Sequence, residues 1–181
     1  MTSGSRRRLT GQEYEALLKA AWKLPLDVTS FQIRKHLRDQ VLIRMLYETS
    51  LGVGDLLDVR VKDVELDFAS IRIEDPGILA RTAKIVPVDD FGFVYYSEAT
   101  RHILIQYLEG RRKGYLIMNN RKERMSVRTA ERVVDEYAQL AKIQRIRGYT
   151  SDKDGTRRAH KFVTCRALCE AGRDFEAPSV L

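Results

Sequence analysis

Apolar residues recur at helical spacing along most of this chain. Tyr14, Leu17, Leu18, Ala21 and Trp22 form the first such stripe, which predicts a helix with one buried face. Thr10-Gly-Gln-Glu13 precedes it as a capping box, in which the Thr10 hydroxyl takes a free amide and Glu13 reaches back. Pro25 ends it. A second helix is expected from Phe31 to Glu48, with Leu37, Val41, Leu42, Met45 and Leu46 inward. A tight corner, Thr49-Ser50-Leu51-Gly52, leads into a short helix from Val53 to Val59. Ser70 to Glu74 alternates with period two and predicts a strand. Lys84 to Val88 reads as its partner, Asp75-Pro76-Gly77 opens the connection, and Pro87 marks an edge. Another helix spans Ser97 to Gly110, followed by an apolar run at Tyr115–Met118 and a turn at Asn119–Lys122. Ser126 caps a helix running through Leu140, buried through Val127, Ala130, Val133, Val134 and Tyr137. The polar, basic stretch from Arg145 to Arg158 reads as a loop, and a last helix covers Lys161 to Ala171, stopping at Gly172. The pattern predicts an α+β fold, mostly α-helical, with a small antiparallel sheet.

Length and composition narrow this picture. The 181 residues fit one domain with a real core. The expected division is a basic, flexible arm at residues 1–9 and a folded domain at 10–181. The arm carries charge with no apolar segment behind it, so it does not read as a secretory signal. No apolar run approaches the roughly 20 residues that span a bilayer, so no membrane partner is expected. Cys165 and Cys169 sit four apart on one helical face, a poor geometry for a disulfide and too few soft ligands for zinc. They read as small buried residues of a reducing cytoplasm. No cofactor is implied, and the carboxylates at Asp63–Asp67 and Asp89-Asp90 lack metal-ligand spacing. His36 and His102 read as ordinary surface residues, and Trp22 with most tyrosines as core.

Charge is the first pointer to a partner. The net charge is +7, and between Arg101 and Glu170 there are 17 Lys or Arg against 8 Asp or Glu. A polyanion fits such a surplus, because each neutralised phosphate releases condensed counterions. The helix beginning at Ser126 concentrates the candidates: Ser126, Arg128 and Thr129 in its first turn, Arg132 one turn on, and Arg121, Lys122 and Arg124 just upstream. A helix N-terminus with free amides, hydroxyls and arginines is suited to phosphate. Arg157, Arg158, His160 and Lys161 form a second basic cluster.

The order of elements, together with the strings LYETSLGVGDLLDVRVKDVELD, KIVPVDD, ILIQYLEGRRKGYLIM, SVRTAERVVDEYAQLAKI and ALCEAGRDFEAPSVL, resembles the catalytic domain of the tyrosine recombinases. These are the phage-integrase family of DNA strand-exchange enzymes, and the resemblance runs from about Thr10 to Pro178. It implies double-stranded DNA as partner. It also implies a reaction in which a tyrosine hydroxyl attacks a DNA phosphate while fixed cations stabilise the transition state. The family uses two arginines, a hairpin lysine, an H-x-x-R box and a further His or Trp.

The chain departs from this set at each position. The family's corner is written T-G-L-R, and Gly52 stands where its arginine grips the phosphate. Asp75-Pro-Gly-Ile-Leu-Ala80 replaces the glycine-lysine-glycine of the hairpin, leaving Arg81 and Lys84 as the nearest cations. Two alignments of the H-x-x-R box compete. In one, His160 is the family's histidine and Val163 replaces the arginine; in the other, Arg157 stands for the histidine and His160 for the arginine. The terminal tyrosine would fall after Leu181.

Three function readings stand open at this stage. The first is a DNA-binding homologue of the recombinase catalytic domain, linked to integration or recombination and impaired in catalysis. The second is the catalytic part of a working integrase whose nucleophilic tyrosine lies beyond Leu181. The third is a basic helical protein with a protein partner. The family assembles as tetramers on DNA, and this chain is expected to be a monomer alone, cytoplasmic or nucleoid-associated.

Overall fold

The computed structural model describes residues 8–23, 27, 29–82, 88–151 and 156–174. Among these described residues, seven α-helices and five short strands follow in the order α1 (Gly11–Trp22), α2 (Ser30–Glu48), α3 (Val53–Asp58), β1 (Val64–Glu65), β2 (Ser70–Arg72), α4 (Pro76–Thr82), β3 (Phe93–Tyr95), α5 (Glu98–Leu108), α6 (Val127–Leu140), β4 (Ile146–Ser151), β5 (Arg157–Lys161) and α7 (Cys165–Ala171). Single 3-10 turns at Val61–Asp63 and Gly172–Asp174 complete the path. The mostly helical α+β architecture with a small antiparallel sheet is the one the hydrophobic pattern predicts.

Helix α2 is the central element, packed by α1, α5 and α7. Its middle is buried on every side: Val41, Leu42, Ile43, Met45 and Leu46 are fully inaccessible. That explains why buried polar groups occur on it with dedicated partners. The Asp39 carboxylate, 0% exposed, accepts the Arg38 guanidinium at 2.6 and 2.8 Å and the Tyr137 hydroxyl at 3.1 Å, with Lys35 3.2 Å away. Glu48 at the other end accepts the Ser97 amide (2.8 Å) and the Thr100 hydroxyl (2.8 Å), which fastens α2 to the first turn of α5. A carboxylate against a helix N-terminus is favourable.

Both capping boxes at the starts of α1 and α2 are formed, through Thr10–Glu13 and Thr29–Gln32. The chain reverses after α5 at Glu109 and Gly110, both left-handed at φ 47° and 77°. Gly172 is glycine for a different reason. Its φ is −74°, but a Cβ there would stand 1.6 Å from the Tyr47 carbonyl oxygen, so α7 docks on α2 only through a bare backbone.

Several expectations change. The 84–88 strand falls outside the described residues, except for Val88. Strand β2 is instead flanked on both sides, by β1 (Val64↔Ile71) and β3 (Ile71↔Val94), elements too short to show a pattern. The connection after β2 is a helix, α4, started by Asp75 accepting the Ile78 amide at 2.9 Å with Pro76 at its first position. The Arg145–Arg158 stretch is a hairpin rather than a loop, and α7 begins at Cys165 rather than Lys161 because Thr164 caps it. Trp22 is 52% exposed and Val127 40% exposed, so neither belongs to the core. His36 is half-buried, with Nδ1 3.3 Å from the Ala21 carbonyl and 3.2 Å from the Tyr137 hydroxyl. His102 is exposed as expected. The proposed arm lies outside the described residues up to residue 7, whereas Leu9 is already buried at 6%. Cys165 and Cys169 are free and buried, and burial pushes the Cys169 thiol up to about 12. Among the described residues no helix is long and apolar enough to cross a membrane.

Candidate nucleic-acid interface

Helix α6 is built so that one side is committed to the core and the other to solvent. Ala130, Val133, Val134, Tyr137 and Ala138 face inward; Arg128 and Arg132, one turn apart, are exposed. Ser126 caps it, its hydroxyl accepting the Thr129 amide at 3.1 Å. Just upstream, the Asn119 side chain accepts the Arg121 amide (2.8 Å) and the Glu123 amide (3.0 Å), and Lys122 takes φ 64°. This Asx turn holds Arg121 and Lys122 outward beside the start of α6.

The candidate cations divide by what they touch. Arg124 is engaged inside the protein: its guanidinium forks onto Asp58 at 2.6 and 2.9 Å and donates to the Gly54 carbonyl at 3.2 Å. That fork tethers the α6 approach to α3 and raises the Arg124 pKa, chiefly through the Asp58 hydrogen bond. Lys161 is bonded to Asp135 on α6. Burial pushes the Asp135 carboxyl up, but hydrogen bonds from Lys161, Gln144 and Gln139 outweigh it and hold the group below the ordinary carboxylate range. Arg121, Lys122, Arg128 and Arg132 are exposed and hold no carboxylate among the described residues. Thus the sequence-predicted cluster separates into four outward cations and two internal fasteners.

Arg128, Thr129, Arg132 and Lys161 line an open groove of about 390 Å³ between α6 and the start of α7, with Glu131, Asp135, Val163 and Thr164. Glu131 accepts the Cys165 amide at 3.2 Å, so this carboxylate serves the α7 start. Arg157 and His160 lie on β5, exposed, with the Arg157 guanidinium 4.5 Å over the Tyr149 ring. Arg158 is opposite Thr150 in the same hairpin. The Tyr149 partner was not visible in the sequence, because cross-strand neighbours appear only once the register is known.

The corner leads into α3, which Arg124 ties to the approach to α6. Thr49 donates its hydroxyl to the Met45 carbonyl at 2.6 Å, and Gly52 caps α3 with φ −54°, a conformation open to any residue. Glycine is therefore not required by the backbone there. A Cβ at Gly52 would meet only the Asp55 Oδ2, at 3.2 Å, the movable end of a side chain. Beside the corner a groove of about 240 Å³ is lined by Asp55, Asp58, Asp63, Glu74 and Asp75 against Arg60, Lys62 and Arg72. Even with Asp58 paired to Arg124, the lining holds no surplus of cations to attract a phosphate. Arg81 sits on α4, and Lys84 lies outside the described residues. The Arg81 side chain, like Lys84, lies outside what the structure describes.

A family model described as the phage integrase family matches residues 7–174. The chain belongs to the phage integrase family. Similar members of this family include the tyrosine recombinase XerC of Pelobacter propionicus, 30% identical over 146 residues, which covers 78% of this chain and 42% of the relative. The tyrosine recombinase XerD of Yersinia pestis is 25% identical over 152 residues, covering 76% of this chain and 50% of the relative. The chain thus spans half or less of the length of these phage-integrase relatives. The crystal structure of XerA recombinase shares the fold over 93% of this chain and 48% of its own, with a TM-score of 0.63 and 21% identity.

Proposed function

We propose that this chain is a duplex-DNA-binding member of the phage integrase family that holds DNA without cutting it. The observation that carries the reading is the contrast between two sets of residues, those at the start of α6 and those around the corner. The α6 side presents Arg121, Lys122, Arg128 and Arg132 to solvent, together with a capped helix N-terminus. The corner side presents Gly52 and a groove whose lining holds no surplus of cations. A phosphate needs fixed donors, and a pentacoordinate phosphorane needs more of them than a ground-state diester. The α6 surface supplies donors of the kind that bind a backbone. The corner supplies neither the arginine fork that engages two phosphate oxygens nor a favourable field.

Binding by this surface is electrostatic and salt-dependent. Replacing Arg128 and Arg132 together by glutamine removes two phosphate neighbours without touching the core. On a duplex of mixed sequence, the slope of log affinity against log salt is expected to fall by about 2. An unchanged slope would place the DNA elsewhere on the molecule.

A further inference from the structure

The β4–β5 hairpin is a ribbon whose described residues bury neither face. Every described side chain of its two strands is exposed, including Ile146 at 54% and Tyr149 at 53%. A two-stranded ribbon is marginal in water on its own, yet this one is anchored at its base. Gln144 accepts the Val163 amide and donates to the Val163 carbonyl, both at 2.9 Å, and Lys161 reaches Asp135. Arg145 reaches Glu13 on α1 at 2.9 Å. The base is bolted to two helices and the blade stands clear of the body.

The composition of the blade indicates its occupant. Strands Ile146–Ser151 and Arg157–Lys161 contain Arg147, Arg157 and Arg158 besides the fastened Lys161, and no carboxylate, and the connection between them adds Asp152, Lys153 and Asp154, which leaves the whole ribbon cationic. In the register Tyr149↔Ala159 and Ser151↔Arg157, Tyr149 and Arg157 share one face, and the guanidinium stacks on the ring. Thr150, paired with Arg158, and His160 share the other face. Both faces offer hydrogen-bonding or stacking groups, and the cations exclude an acidic-free or apolar partner. From these observations we infer that the ribbon enters the major groove of the duplex held by α6. The strands of a ribbon lie about 4.8 Å apart; with side chains on both faces it fits a groove about 12 Å wide rather than one about 6 Å wide. The ribbon then contacts base edges while α6 contacts phosphates. This rests on the duplex-binding reading above.

Dimethyl sulfate tests the assignment, because it methylates guanine N7 in the major groove and adenine N3 in the minor groove. The full chain is saturated on a short mixed-sequence duplex and compared with the double variant Tyr149→Ala/His160→Ala, its folding checked by circular dichroism. The wild-type chain is expected to protect guanine N7. The variant is expected to lose that protection while its affinity falls by no more than about tenfold, the α6 contacts remaining. The Arg128→Gln/Arg132→Gln variant, at saturation, is expected to keep the protection. Equal N7 protection in the ribbon variant, or protection confined to adenine N3, would overturn the inference. So would a wild-type dimer in sedimentation velocity that the ribbon variant abolishes, since a second copy would then be the occupant. A wild-type chain that binds no duplex at low salt overturns the duplex-binding reading itself, a result distinct from binding without N7 protection.

Discussion

Three residues of the α2–α7 neighbourhood show how differently one position can be constrained. Ser50 takes φ 50° with its hydroxyl buried and without a partner. Left-handed backbone costs a residue with a Cβ about 1–2 kcal/mol, and a buried unsatisfied hydroxyl adds to that. Ser50→Gly removes both, so urea denaturation is expected to show a gain of about 1 kcal/mol, less glycine's own entropy cost. Gly172 is the converse. Its φ is ordinary, but the Tyr47 carbonyl occupies the space a Cβ would need. Gly172→Ala is expected to cost about 3 kcal/mol or more by overpacking, measured in the same titration. Gly52 is constrained by neither its backbone nor a fixed neighbour, so Gly52→Arg should leave stability within about 0.5 kcal/mol. The reading of Gly52 as the family's arginine position comes from the wording of the corner alone. The charge of its surroundings was not legible there, because Asp58, Asp63, Glu74 and Asp75 meet only after folding.

At the scale of elements, the helices were legible and the strands mostly were not. Helices α1, α5 and α6 bury one stripe each, and α2 is buried through its middle as an apolar core helix; burial is what periodicity reports. The described side chains of β4 and β5 are all exposed, so no alternation marks them, and a polar basic stretch reads as a loop. Helix α4 carried a signal that was passed over: Asp75 before Pro76 is a cap followed by the residue best suited to a first turn. The hairpin is fastened to α6 through Asp135, which gives the attachment a pH dependence. The folded pKa of Asp135 is depressed, so its stabilisation is present above the unfolded value and is lost as pH falls through the folded one. Amide exchange in β4 and β5 should therefore rise selectively below about pH 4, whereas Asp135→Asn should show raised exchange at neutral pH and little further change on acidification. Uniform exchange across that range in the wild type would show that the Lys161–Asp135 contact does not hold the ribbon.

Across the whole molecule, charge is sorted rather than merely abundant. The net charge of +7 predicted a polyanionic partner, but not which side would face it. Internal pairing decides that: Arg124 and Lys161 are spent on Asp58 and Asp135, while Arg128 and Arg132 remain outward. Phage-integrase membership supplies the fold, and on the proposed function the outward cations of α6 hold a duplex that the groups around the corner do not cut. The direct measurement uses a nicked suicide duplex, in which strand cleavage traps any tyrosine-linked intermediate. Native and denaturing gels are run from the same low-salt incubation. A retarded complex on the native gel that vanishes on the denaturing gel is the expected result. A protein–DNA species that survives denaturation would contradict the account.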